Sequence, residues 1–101
     1  MISQAKIPIP TDQLKDLCRR YQVRRLALFG SVLRDDFGPE SDVDILVDFE
    51  PDAEIGFMEL SGMQLELAEL FHRPVDLVPR DGLKPLIRPS VLSSAELIYE
   101  N

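Results

Sequence analysis

The stretch from Leu28 to Phe49 constrains this chain most. An apolar strand ends at Phe29, the small pair Gly30-Ser31 follows, and after ten intervening residues Asp42-Val43-Asp44 runs into Ile45-Leu46-Val47. Side chains alternate along a strand, so Asp42 and Asp44 share one face while Val43, Ile45, Val47 and Phe49 share the other. A strand with one acidic and one apolar face belongs in a sheet whose apolar side is covered and whose other side is left to the acids. The two α-carbons would lie roughly 6–7 Å apart at the strand rise. Carboxylates that close repel each other, and one of them holds a proton unless a cation is shared. Magnesium suits the pair, because it takes carboxylate oxygen, keeps several waters and completes its shell with phosphate. Two such ions about 3.5–4 Å apart lie within reach of both acids.

The turn before the acids supplies the other half of a site. Val23 to Phe29 reads as a buried strand with Leu26 and Leu28 on one face and Ala27 and Phe29 on the other, and Ser31 to Arg34 reads as a short helical turn. Gly30 allows close backbone approach. Free amides at the start of a helical turn, with the Ser31 hydroxyl, form an anion site where a triphosphate tail can lie. Arg34 is a candidate phosphate contact. A third carboxylate comes from Val75-Asp76-Leu77-Val78, where Val75 and Leu77 share one face and Asp76 is left on the other with Val78. If that strand lies beside the one following Asp42, Asp76 reaches the same metal pair and helps to activate an attacking hydroxyl.

Other sites built on paired acids do not fit the local context. An EF-hand needs an oxygen ligand at loop position five and glycine at six, but counting from Asp42 gives Leu46 and Val47. A dehalogenase-like phosphatase places its strand before the acids, and here the strand follows. The Gly-Lys-Ser or Gly-Lys-Thr of a P-loop is absent. Asp48 shares the face of Asp42 and Asp44 by parity but lies about 13 Å beyond Asp44, and reads as a rim acid. Asp35, Asp36 and Glu40 read as solvated loop acids. Lys84 and Arg88 are four apart and would face a nucleotide only if their segment were helical, a solvated face being the simpler reading. His72 lacks the second histidine or cysteine of a zinc site and suits a helix end. Cys18, on the apolar side of its helix, reads as a small core residue.

At 101 residues the chain is expected to form a single domain, residues 1–101, with one modest core and no room for an added acceptor-binding domain. A net charge of −7 argues against broad nucleic-acid binding, which needs lysine and arginine against phosphate, and so against a template-copying enzyme. A lone cysteine excludes an internal disulfide and suits the reducing cytoplasm. No apolar run approaches membrane-spanning length, and no basic segment followed by an apolar stretch opens the chain. Thr11 and Asp12 are expected to cap a first helix that buries Leu14, Leu17, Cys18 and Tyr21, behind a tail that Pro8 and Pro10 keep extended. A longer helix is expected over Ile55 to Phe71, with Leu60, Met63, Leu67, Leu70 and Phe71 at helical spacing, ending at Arg73-Pro74. The segment from Leu83 to Leu92 reads as an irregular tail interrupted by Pro85 and Pro89, with a short helix around Lys84 to Ile87 and an extended Leu97 to Tyr99. The fold class is α/β (α+β): a small mixed β-sheet with helices packed mainly on one face, the other face available to the acids.

Gly-Ser, ten residues, Asp-x-Asp and a later lone strand Asp together resemble the DNA polymerase beta-like nucleotidyltransferase superfamily. More closely the chain is similar to the minimal nucleotidyltransferases (MNT), usually encoded beside a HEPN-domain partner. The resemblance runs from about Tyr21 to the C-terminus and includes Arg34, Ser41, Asp48-Phe49-Glu50-Pro51 and Leu97-Ile98-Tyr99-Glu100. The family often has Ala and Gly beside the arginine where this chain has Leu33 and Asp35. The resemblance implies a palm-like nucleotidyltransferase fold in which Gly30 and Ser31, with Arg34, bind the phosphates of ATP. It also implies that Asp42, Asp44 and Asp76 are catalytic and hold two Mg2+ ions. It further implies an antitoxin that transfers AMP to a tyrosine of a HEPN ribonuclease toxin. Two alternatives stay open at this point, a non-catalytic antitoxin that neutralises its partner by occlusion and a nucleotidyltransferase acting on a small molecule. Base preference, the number of nucleotides added and any homo-oligomer are likewise open.

Overall fold

A computed structural model describes residues 7–34 and 37–101. Helix α1 (Thr11–Arg20) leads into strand β1 (Val23–Phe29), a single 3-10 turn (Gly30–Leu33) and strand β2 (Val43–Phe49). Helix α2 (Phe57–Phe71) follows, then strand β3 (Val75–Pro79), a second 3-10 turn (Arg80–Gly82), helix α3 (Arg88–Ser94) and strand β4 (Glu96–Glu100). The strands form one mixed sheet in the order β3-β2-β1-β4, with β1 antiparallel to both β2 and β4 and β2 parallel to β3. The parallel pair is joined through α2, the long crossover that parallel neighbours require. The expected α/β class, mixed sheet and order of elements up to β3 are those observed.

The apolar stripes predicted from periodicity are the ones buried. Leu14, Leu17 and Cys18 of α1 and Met63, Leu67 and Phe71 of α2 pack on Leu26, Leu28, Val43, Ile45, Val47, Val75 and Leu77 of the sheet, forming the main core. Arg20 and Tyr21 tie the two helices together, Arg20 Nη2 and Tyr21 Oη each donating to the Glu66 carboxylate.

Three expectations are corrected. Thr11 and Asp12 do not cap α1: Pro10 occupies the capping position, no side chain caps the helix, and the Thr11 hydroxyl donates instead to the Ile9 carbonyl at 3.2 Å. A proline suffices there because φ is already helix-compatible and the missing N–H costs nothing at a helix start. Helix α2 begins at Phe57 rather than Ile55, since Gly56 is extended (ψ −173°) and its N–H is accepted by Glu59 Oε2 at 3.2 Å, half of a capping box. The tail is not irregular. Pro89 sits in the first turn of α3 and starts that helix instead of interrupting one, while Lys84 to Ile87 form a turn before it.

The second face of the sheet is therefore not bare. Leu83 is buried on Ala27 and Leu46, with Phe29, Val78, Val91 and Ala95 packed around them, so the segment leading into α3 covers the middle of the face opposite the main core. The end bearing Asp44 and Asp76 lies beside this cover.

Candidate active site

Register brings two of the three acids together. In the parallel β2–β3 pair Asp44 lies directly opposite Asp76, flanked by the pairs Val43 with Val75 and Ile45 with Leu77. Those four apolar neighbours are buried in the main core, so alternation turns Asp44 and Asp76 to the opposite face together. Asp42 lies one residue before β2, exposed, and not inside the strand as its parity with Asp44 suggested. Asp76 is also exposed, and Asp44 is half-buried.

Gly30 backs this group. It opens the 3-10 turn at φ +77°, a conformation L side chains rarely adopt, and a Cβ there would collide with Asp44 Oδ2 and lie 3.2 Å from its Cγ. The glycine is thus required twice, for its backbone angle and for the space it leaves to a carboxylate. Phe29 pairs with Asp44 across β1 and β2, so the turn that follows β1 emerges beside the acid. Ser31 lies in that turn, half-buried, and its carbonyl accepts from Arg34 N–H at 2.9 Å as the turn closes.

Electrostatics report the same proximity. Burial pushes the Asp44 carboxyl above its ordinary range, the charges of Asp76 and then Asp42 push it further, and Arg34 opposes them. A half-buried carboxylate repelled by two neighbouring carboxylates offers the oxygen donors that suit a hard divalent cation. Among the described residues no three His, Cys, Asp or Glu side chains already converge as a cage. The oxygen donors and the crowding of negative charge at Asp44 nonetheless fit magnesium, with Asp42, Asp44 and Asp76 as the residues that would hold it.

Other candidates separate from this group. Asp48 lines a cavity of about 300 Å³ with Arg25, Ala27, Leu46, Arg80 and Leu97, at the far end of the same face. That hollow lies away from the acids, where charge and register converge. Arg88 is half-buried, and its Nη2 donates to the Leu83 carbonyl at 2.9 Å, closing the turn before α3. Lys84 is exposed. His72 closes α2 in the left-handed region (φ 55°), its exposed ring consistent with a helix-end role. Cys18 is fully buried, and its thiol is pushed up to about 12 by that burial. Glu40 is exposed, while Asp35 and Asp36 lie outside the described residues.

Sequence reasoning missed two residues that frame the site. Gln64 of α2 accepts from Leu77 N–H at 2.9 Å, satisfying the open edge of β3 beside Asp76. Arg73, read only as part of a helix stop, reaches the loop before Asp42. Neither carries a local signal, because each partner lies at least 13 residues away.

Comparison with known proteins identifies the family. Residues 11–98 match the model of the family described as Nucleotidyltransferase domain. The chain is 40% identical over 92 residues to protein adenylyltransferase MntA of Thermococcus cleftensis, covering 90% of this chain and 88% of that protein. A solved structure named as a candidate minimal nucleotidyltransferase superposes with a TM-score of 0.70 at 34% identity, covering 84% of this chain and 85% of the other. A complex of tri-AMPylated Shewanella oneidensis HEPN toxin with MNT antitoxin matches with a TM-score of 0.64 at 19% identity, covering 90% of this chain and 70% of the matched one. The last shows a shared fold only. With its acids paired in register beside a glycine turn, and with a family match running through α1 to β4, the chain belongs to the nucleotidyltransferase domain family and is a minimal nucleotidyltransferase enzyme.

Proposed function

We propose that this enzyme transfers AMP from ATP to a tyrosine hydroxyl of a HEPN-domain toxin, and so acts as the antitoxin of the pair. The observation that carries the reading is the opposition of Asp44 and Asp76 across β2 and β3 with Gly30 behind Asp44. The relative's name as a protein adenylyltransferase and the neighbour's AMPylated HEPN partner support the choice of nucleotide and acceptor. Gly30 and Ser31 hold the triphosphate, with Arg34 as a further contact, so that the α-phosphorus lies at the acids. Magnesium held by Asp42, Asp44 and Asp76 would offset triphosphate charge and lower the pKa of the acceptor hydroxyl. The acceptor oxygen bonds to the α-phosphorus in line, the bond from that phosphorus to the pyrophosphate oxygen breaks, and the hydroxyl proton leaves toward the exposed Asp76 carboxylate. Catalysis is then mainly positioning and charge stabilisation. A cytoplasmic setting, where ATP is abundant, suits a chain with one thiol.

Incubating the protein with ATP, Mg2+ and a HEPN-domain partner should raise the partner's intact mass by one or more AMP units. Asp42→Asn and Asp44→Asn should each abolish that gain while the circular dichroism spectrum stays unchanged. Undiminished transfer by either variant refutes the site. Stoichiometric binding of the partner with no mass gain from the wild type points instead to inhibition by occlusion.

A further inference from the structure

Strand pairing begins at Val43, so the sheet ladder does not hold Asp42, and its exposed side chain is not fixed by packing. Arg73 stands where α2 ends and β3 begins, and its guanidinium is spent on the loop in front of that acid. Arg73 Nη1 donates to the Gly38 carbonyl at 2.9 Å, with longer shared contacts to the carbonyls of Ser41 at 3.3 Å and Pro39 at 3.4 Å. The guanidinium carbon also lies 4.4 Å from the centre of the Phe37 ring. The loop is braced from within, Ser41 N–H donating to the Gly38 carbonyl at 3.1 Å and Gly38 N–H to Ser41 Oγ at 3.0 Å.

The base of the arginine is itself anchored. Its N–H donates to the Ala68 carbonyl at 3.2 Å, where His72 turns the chain out of α2 in the left-handed region. The next residue closes the clamp, the Pro74 carbonyl accepting from Val43 N–H at 2.9 Å. Both peptide groups flanking Asp42 are therefore held by Arg73-Pro74, one through the Ser41 carbonyl and the other through Val43 N–H.

We propose that Arg73 is a positioning residue of the transfer site, fixing the backbone of Asp42 against Asp76, which follows in the same segment. The inference rests on the acidic site described above. A planar fork that can bond carbonyls and stack on a ring at once explains arginine here, since lysine offers a point charge without a flat face.

The test uses Arg73→Met, which keeps the stem and removes every donor, alongside Arg73→Lys. In the protein without ligand, Arg73→Met should speed amide exchange at Gly38 and Ser41 while leaving Leu46 and Leu67 protected. Affinity for Mn2+ in the presence of ATP, read by water proton relaxation, should fall between about tenfold and a hundredfold, the usual cost of losing a residue that orients a metal ligand. Arg73→Lys should recover part of both. In an Asp42→Asn background Arg73→Met should weaken Mn2+ binding no further, whereas a merely structural role would weaken both backgrounds alike. Phe37→Leu, which removes the stacking alone, should move the same readouts less and serves if Arg73→Met does not fold. Unchanged loop exchange, or equal losses in both backgrounds, overturns the clamp. If Asp42→Asn itself leaves Mn2+ binding and transfer untouched, the acidic site fails instead.

Discussion

Asp44 is where the demands of fold and chemistry oppose each other most. Its carboxyl is half-buried behind Gly30 and lies beside Asp76 and Asp42, and burial followed by these two charges raises its pKa. A carboxyl whose folded pKa is raised helps the native state fully below its unfolded value of about 3.9 and loses that help as pH rises through the folded value. At neutral pH the charged Asp44 therefore works against folding. Asp44→Asn should melt higher than wild type at pH 7 in metal-free buffer, and the advantage should shrink as pH falls through the carboxylate range. Thermal melts from pH 3 to 8 check this, and a variant less stable than wild type at pH 7 contradicts it. The acids and Gly30 were legible in the sequence because alternation and turn chemistry act over a few residues. Arg73 was not, since its carbonyl partners lie 32 to 35 residues away.

The secondary-structure elements show why the central ones were easier to read than the ends. β1, β2, α2 and β3 carry long, regular apolar patterns, and their buried residues are the ones the pattern selects. The C-terminal segment offered prolines and a short amphipathic stretch, so local signals could not decide whether Pro89 ends one helix or begins another. Contact of Leu83, Val91 and Ala95 with Ala27 and Leu46 decides it, and that contact is tertiary. β3 makes a case of its own, since it is an edge strand with a side-chain substitute for its missing neighbour, the Gln64 carbonyl on Leu77 N–H. Gln64→Ala should cost about 1 kcal/mol by leaving a half-buried donor unmatched, while Gln64→Glu, which keeps an acceptor, should cost less. Urea denaturation of the three proteins measures this, and equal stability of Gln64→Ala and wild type rules it out.

At the scale of the molecule, one sheet separates two apolar layers of unequal size. The large one carries α1 and α2, and the small one carries Leu83 and the α3 segment. Both layers share the central strands β1 and β2, which couple them through one sheet. Unfolding in urea should therefore be one transition, with coincident curves from backbone and tyrosine signals and a slope of about 1–2 kcal/mol per molar. Separate transitions would show that the C-terminal cover melts by itself. Among the described residues no helix is long and apolar enough to cross a membrane.

The amino-acid order alone determined the strand faces, the two helical stripes, the glycine turn and the kind of atoms offered to a ligand, because each depends on neighbours within one or two turns of chain. Tertiary structure alone decided that Asp76 lies opposite Asp44, that the C-terminal segment folds over the second face, and that Arg73 grips the loop before Asp42. Strand order, register and long-range hydrogen bonds are set by which buried surfaces fit together, and no short window of sequence contains both halves of such a fit.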